Sequence, residues 1–174
     1  NNNRLFFAVK AIGVSPRGST SYTALHGVQS FGLDTTFNLE KILEIGQSDI
    51  YEVKSETPDV TANITKVLDG YPPVYLHATQ QSTDASLIGR SNAQCGLAMS
   101  IFQDTYNSAS GIPQREVQLS GLFVSSVSYT ANVDGIAQEE ISLVCNNKEW
   151  LSGANINFTG NIFTNDDSPL AITG

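Results

Sequence analysis

The side chains able to do chemistry in this chain are few and scattered. His26 and His77 are the only histidines, and neither stands in a HExxH or HxH arrangement that brings two imidazoles to one metal. Both are expected at the surface or at an interface. Cys95 and Cys145 are the only cysteines, and neither belongs to a CxxC pair, so zinc is not expected. They read as small half-buried thiols, with a disulfide left open. Glu139 and Glu140 are adjacent, but neighbours on a strand point to opposite faces, which makes them a poor acid–base couple. Asp166-Asp167 reads as a solvated turn rather than a calcium site. No GxSxG elbow and no GxxxxGK[ST] phosphate loop occurs. Asn63-Ile64-Thr65 and Asn157-Phe158-Thr159 match the glycosylation pattern, which is common by chance. Tyr51, Tyr71, Tyr75, Tyr106 and Tyr129, with Phe123 and Trp150, are assigned to the core and to subunit contacts rather than to a ligand box. No catalytic residue, cofactor or metal is therefore predicted, and the chain is not read as an enzyme.

The elements that hold these residues are mostly extended. Asn38 to Gly46 is the exception. Leu39, Ile42 and Leu43 fall at helical spacing, Asn38 is placed to cap, Glu40 suits a helix start, and Gly46 suits a helix end. A short helix is predicted there. Ile50 to Ser55 and Val60 to Thr65 then alternate as two strands. They are read as one large hairpin from Asp49 to Leu68, hinged at Thr57-Pro58-Asp59, with its tip near Glu56 to Asp59. Asp69-Gly70 is a turn pair.

Around this unit lie further strand segments. Leu5 to Val14 is a first strand and Leu25 to Leu33 a second, broken by Gly27 and Gly32. Val74 to Ala78 reads as a short strand. Asp84 is placed to cap a helical turn over Ala85 to Ile88 that Gly89 ends. Gly96 to Gln103 is strand-like. Glu116 to Val133 is an extended segment long enough to bend, closed by the Asp134-Gly135 turn. Glu140 to Cys145 returns, Asn146 to Lys148 turns again, and Trp150 begins another element. Ile156 and Phe158 alternate in the last segment before a loop at Asn165 to Pro169. Turns recur every dozen residues or so, with one or two short helices. This pattern predicts a mainly β fold, a sandwich or barrel with a long β-hairpin, in one domain spanning 1–174.

Bulk composition narrows the function classes. The chain has 174 residues, enough to bury a core without metal or disulfide. Only 15% of residues are charged, so the surface is polar rather than ionic, as suits a face covered by other subunits. Nine basic residues against seventeen acidic give a formal net charge of −8. The basic residues stand singly, not in the clusters that grip phosphates, so tight nucleic-acid binding is not expected. No apolar run approaches the ~18 residues that cross a bilayer, so no membrane role is expected, and no signal peptide is read.

Two segments together resemble the tail tube proteins of contractile-tailed bacteriophages. One is Asn38 to Leu76, with Gly46-Gln47, the Pro-containing turn and Lys66-Val67-Leu68-Asp69-Gly70. The other is Val124 to Trp150, with Ser128-Tyr129, Val133-Asp134-Gly135 and Asn147-Lys148-Glu149-Trp150. The two cysteines are not part of that pattern. The resemblance implies hexameric rings whose inner strands join into one multi-subunit β-barrel. It implies that the rings stack into a tube, found in the virion tail and assembled in the host cytoplasm. The tube meets a tail sheath protein and baseplate or terminator proteins. Genome DNA passes through it without specific binding. Related modules serve phage-like bacteriocins and secretion machines.

Within that picture Glu56, Thr57, Pro58 and Asp59 are the candidate inter-ring contacts. Asp49, Glu52, Glu139 and Glu140 are the candidate lumen residues, since negative charge suits a conduit along which DNA slides without sticking. The competing reading from another class is a carbohydrate-binding β-sandwich, given the Asn, Tyr and Trp content. It predicts a stable monomer with sugar-dependent thermal shifts.

Overall fold

The computed structural model describes residues 10–46, 50–102 and 113–158. The strands in chain order are β1 (Lys10–Pro16), β2 (Thr23–Ala24), β3 (Val28–Thr36), β4 (Leu39–Leu43), β5 (Ile50–Ser55), β6 (Asp59–Val67), β7 (Cys95–Ile101), β8 (Arg115–Thr130), β9 (Gln138–Cys145) and β10 (Asn147–Leu151). Helices α1 (Val74–Ala78) and α2 (Leu87–Arg90) lie between β6 and β7. The main sheet runs β2-β1-β7-β8-β9-β6-β3, with β10 also against β8, and β4 and β5 form a separate two-stranded ribbon. All pairings are antiparallel. The fold is mainly β, as the alternation of the sequence predicts.

Strand β8 joins the two halves of the molecule. Its first half pairs with β7 on one side and β10 on the other, and its second half, from Phe123 on, pairs with β9. The change of partner falls beside Gly121, whose φ of +67° is a left-handed conformation that disfavours any residue with a Cβ. Register shifts at Cys95/Leu97 and at Val124/Ser126 bracket it, and such bulges bend a strand. The expected bend in this long segment is present.

One buried cluster draws on both halves: Val14 of β1, Leu97 of β7, Leu119 and Leu122 of β8, Ile64 of β6 and Leu143 of β9. Val74 and Ala78 of α1 close it. A second cluster lies apart from this one. There Ala11, Tyr22, Ala24, Ala98 and Phe102 pack with Phe158. Strand β7, covered on both faces, is therefore buried at nearly every position, which explains its unbroken apolar run.

Several expectations are corrected. Asn38 to Gly46 is not a helix; β4 occupies Leu39–Leu43 and pairs with β5. The segment is too short for a stable isolated helix, and it gains a ladder of hydrogen bonds by pairing. Asn38 does not cap. Its side-chain amide donates to the Thr57 carbonyl at 3.3 Å and to Asp59 Oδ2 at 3.1 Å.

The expected hairpin between β5 and β6 does not exist either. Strand β6 pairs with β3 and β9, while β5 pairs with β4. The real hairpin is longer and comes in two pieces: β3 against β6, then β4 against β5 beyond it. Pro58 interrupts the ladder between them because it has no N–H to donate. Glu56 to Asp59 thus form a waist, not a tip, and the Glu56 N–H donates across it to the Asn38 carbonyl at 2.8 Å.

Val74 to Ala78 is helix α1, not a strand. Helix α2 is capped by Ser86, whose hydroxyl accepts the Gly89 N–H at 3.1 Å, so Asp84 is not the cap and Gly89 lies inside the helix. Asn147 starts β10 almost without a turn, and Gly153–Asn155 is a single 3-10 turn rather than strand. The loop at Asn165 to Pro169 lies outside the described residues.

Candidate assembly surfaces

Among the described residues, the four strands β3-β6-β9-β8 carry an unpaired edge on each side. At one side β3 pairs only with β6 over Val28–Thr36. At the other, the second half of β8, Phe123 to Thr130, pairs only with β9. Unpaired edges present rows of free N–H and C=O groups that template another strand. Because each neighbouring pair in this set is antiparallel, β3 and β8 run in opposite directions.

The outer face of these strands is built of short polar side chains. Asn63, Thr65, Ser126, Ser128, Glu140 and Ser142 line a shallow groove there. Register fixes the neighbours: Glu140 lies between Thr65 and Ser128, and Ser142 between Asn63 and Ser126. Asp34 and Asp59 share this face and are exposed. Lys66, the only basic residue on β3, β6, β9 and the second half of β8, points inward and is wholly buried. A face with carboxylates and no cation repels polyanions and offers them no hold.

The candidate lumen residues separate. Glu140 is exposed on the polar face. Glu52 is exposed on the ribbon, opposite Ile42. Asp49 lies outside the described residues. Glu139 is a correction: it is 0% exposed and faces the core, because the residue next to an outward one on a strand points inward. Its carboxylate accepts the Val74 N–H at 2.7 Å and the Tyr75 N–H at 3.1 Å, holding the first turn of α1. Tyr129 Oη donates to Glu139 Oε1 at 3.2 Å. Burial first, then the Glu139 charge, pushes the Tyr129 phenol up to about 12.

Glu116 does the same work elsewhere. Its buried carboxylate accepts the N–H groups of Asn157 and Phe158, both at 2.9 Å, and straps the last described segment to the sheet. Gln118 also donates to it, and the Ser100 hydroxyl donates to the Phe158 carbonyl. Sequence reasoning missed both glutamates as anchors, since their partners lie 41 to 65 residues away.

Lys66 donates to the His26 carbonyl at 2.5 Å and lies 3.5 Å from Asp69. His26 stacks on Tyr71 with ring centroids 4.3 Å apart. Cys95 and Cys145 are free thiols and buried. Cys95 pairs with Leu122 on one side of β8, and the next register position on the other side falls to Cys145. Two strand spacings separate their Cα atoms by roughly 10 Å, beyond the ~7 Å that a disulfide spans. Burial and the second thiol push Cys95 up to about 12.

The ribbon β4–β5 projects past the sheet with every β4 residue exposed. Its register puts Leu39, Lys41, Leu43, Ile50 and Val53 on one face, and Glu40, Ile42, Glu52 and Lys54 on the other. Leu39 is 58% exposed and Leu43 64%. Trp150 on β10 is also well exposed. These apolar groups lie open in the single chain.

The geometry defines a mainly β, antiparallel module with an open edge on each side of the four strands β3-β6-β9-β8 and a separate two-stranded ribbon. This is the fold of tail tube proteins. No family model and no curated protein matches the sequence. Solved structures match over most of the chain. One is from the baseplate of the anti-feeding prophage, at 10% identity and TM-score 0.62, covering 90% of this chain and 100% of that one. A second is from the sheath–tube complex of an extracellular contractile injection system in its extended state, at 9% identity and TM-score 0.60, covering 87% and 94%. A third is the SPP1 tail tube, at 9% identity and TM-score 0.58, covering 89% and 82%.

Proposed function

We propose that this chain is a structural tube protein with no enzymatic role. Copies join edge to edge, β8 of one to β3 of the next, into hexameric rings. The rings stack into the inner tube of a virion tail. The observation that carries this reading is the pair of open, oppositely directed edges on one sheet. Joining them keeps the antiparallel alternation unbroken around a ring and leaves neither of these two edges exposed. Such head-to-tail contacts are heterologous and close when the rotation allows. The polar face with Glu140, Asp34 and Asp59 then lines the lumen, and genome DNA passes along it without specific binding. A tail sheath protein surrounds the tube, with baseplate and terminator proteins at its ends. The ribbon reaches the next ring, and the waist at Glu56 to Asp59 sets its angle.

Negative-stain electron microscopy across a concentration series tests this. Rings or tubes of constant diameter are expected. Ser125 is the extra residue of the β8 bulge, skipped in the register with β9. Proline is tolerated at such a position yet spoils an edge. Ser125→Pro should therefore keep its circular dichroism and lose rings. Rings that survive this change would remove the β8 edge from the reading.

The likeness to a sheath–tube complex of a contractile injection system supports a second reading, in which the same tube conducts protein. Purified particles carrying protein and no nucleic acid would favour it. A protein that is monomeric at every concentration and shifts its melting temperature with a glycan would instead be a carbohydrate-binding module.

A further inference from the structure

The two ends of the four-stranded sheet carry complementary groups. The ribbon leaves from the end marked by Thr36, Asp59 and Cys145. The turn between β8 and β9 lies at the opposite end, beyond the Thr130, Gln138 and Val67 positions. Eight paired residues separate the two ends, Val60 to Val67, a span of roughly 26 Å at ~3.3 Å per residue.

The ribbon end offers an apolar face with a cation in its middle. Lys41 sits opposite Val53, between Leu39 and Leu43 on the same strand face. The turn end offers the reverse pattern. Val133 is 103% exposed and Ile136 66%, with the exposed carboxylate of Asp134 between them. Asp69 adds a second, part-exposed carboxylate at that end. No exposed basic residue lies in the segments that close it, 68–73 and 131–137. A valine and an isoleucine this exposed at a turn contribute little to the fold of one copy, and the ribbon face is likewise uncovered.

We propose that the Val133–Ile136 turn of one copy seats on the Leu39–Lys41–Leu43 face of the ribbon of a second, axially adjacent copy, with Asp134 meeting Lys41. This rests on the tube reading and names the contact that joins ring to ring. Apolar groups supply the buried centre, and the ion pair sets the register and rejects the wrong end.

The test is a charge exchange read by electron microscopy and sedimentation velocity. Lys41→Glu and Asp134→Lys, each alone, should leave ring formation intact and shorten or abolish tubes. Together they should restore tubes toward wild-type length. Val133→Ser with Ile136→Ser should also give rings without long tubes. All four positions are exposed, so these variants should fold, with circular dichroism as the check. Wild-type-length tubes in both single charge variants would overturn the proposal and leave the ring reading standing. Failure of the double exchange to restore what the singles lose would overturn the Lys41–Asp134 pairing. A wild-type protein that forms neither rings nor tubes would overturn the tube reading itself, and this proposal with it.

Discussion

Tyr129 and Glu139 sit directly opposite each other on β8 and β9, and the half-exposed phenol donates to the buried carboxylate at 3.2 Å. The same carboxylate holds two backbone N–H groups of α1. One side chain thus ties an open edge strand, its neighbour and a helix into a single unit.

Truncating that carboxylate should be costly. Glu139→Ala leaves the Val74 and Tyr75 N–H groups buried without their acceptor and the Tyr129 hydroxyl without its partner. A loss of about 2–4 kcal/mol is expected, given 1–3 kcal/mol for a buried unsatisfied group. Urea unfolding measures it. Tyr129→Phe keeps the ring and loses one hydrogen bond, so its loss should be about 1 kcal/mol.

Alkaline pH should destabilise the protein. Tyr129 is raised from 10.0 to about 12 and Cys95 from 9.0 to about 12, so both hold their protons more tightly folded than unfolded. Stability from these groups is fully present below the unfolded values. It is lost as pH rises through about 9–10 towards 12. Tm should fall between pH 8 and pH 10.5, and the fall should be shallower in Tyr129→Phe. An equal slope in that variant would remove Tyr129 as a source.

The strap over the second cluster should depend on both Glu116 and the notch beneath Phe158. A Cβ on Gly13 would lie 2.9 Å from two ring carbons of Phe158 and 3.0 Å from Tyr22. Gly13→Ala should cost about 1–3 kcal/mol through overpacking. Glu116→Ala should expose 152–158 to protease, with cleavage mapped by mass spectrometry, while the main core stays folded.

The thiols should be silent. Both are buried and protonated near neutral pH, and strand spacing keeps them apart. An Ellman titration should find almost no reactive thiol until denaturant is added, and ring formation should not respond to reductant. A reductant-sensitive assembly would contradict this geometry.

Much of the β architecture was legible, because period-two alternation is a local signal. Val60, Ala62 and Ile64 face the core and Thr61, Asn63 and Thr65 face out, as alternation requires. The bend in β8 followed from its length. Pairing was not legible. Leu39, Ile42 and Leu43 fit a helix and a short strand equally well, and only β5 decides between them. Helix α1 was missed because its anchor, Glu139, lies 65 residues away. Alternation alone puts Glu139 and Glu140 on opposite faces, but that Glu139 is the inward one and holds α1 depends on that distant partner.

The opposed directions of β3 and β8 carry one more consequence. Every copy joined through those edges points the same way, so every ribbon leaves from the same side of a ring. A stack of such rings has polarity. Its two ends display different chemistry, ribbons at one and turns at the other. A partner that binds one end of such a stack would therefore meet a different surface of the same protein from a partner that binds the other.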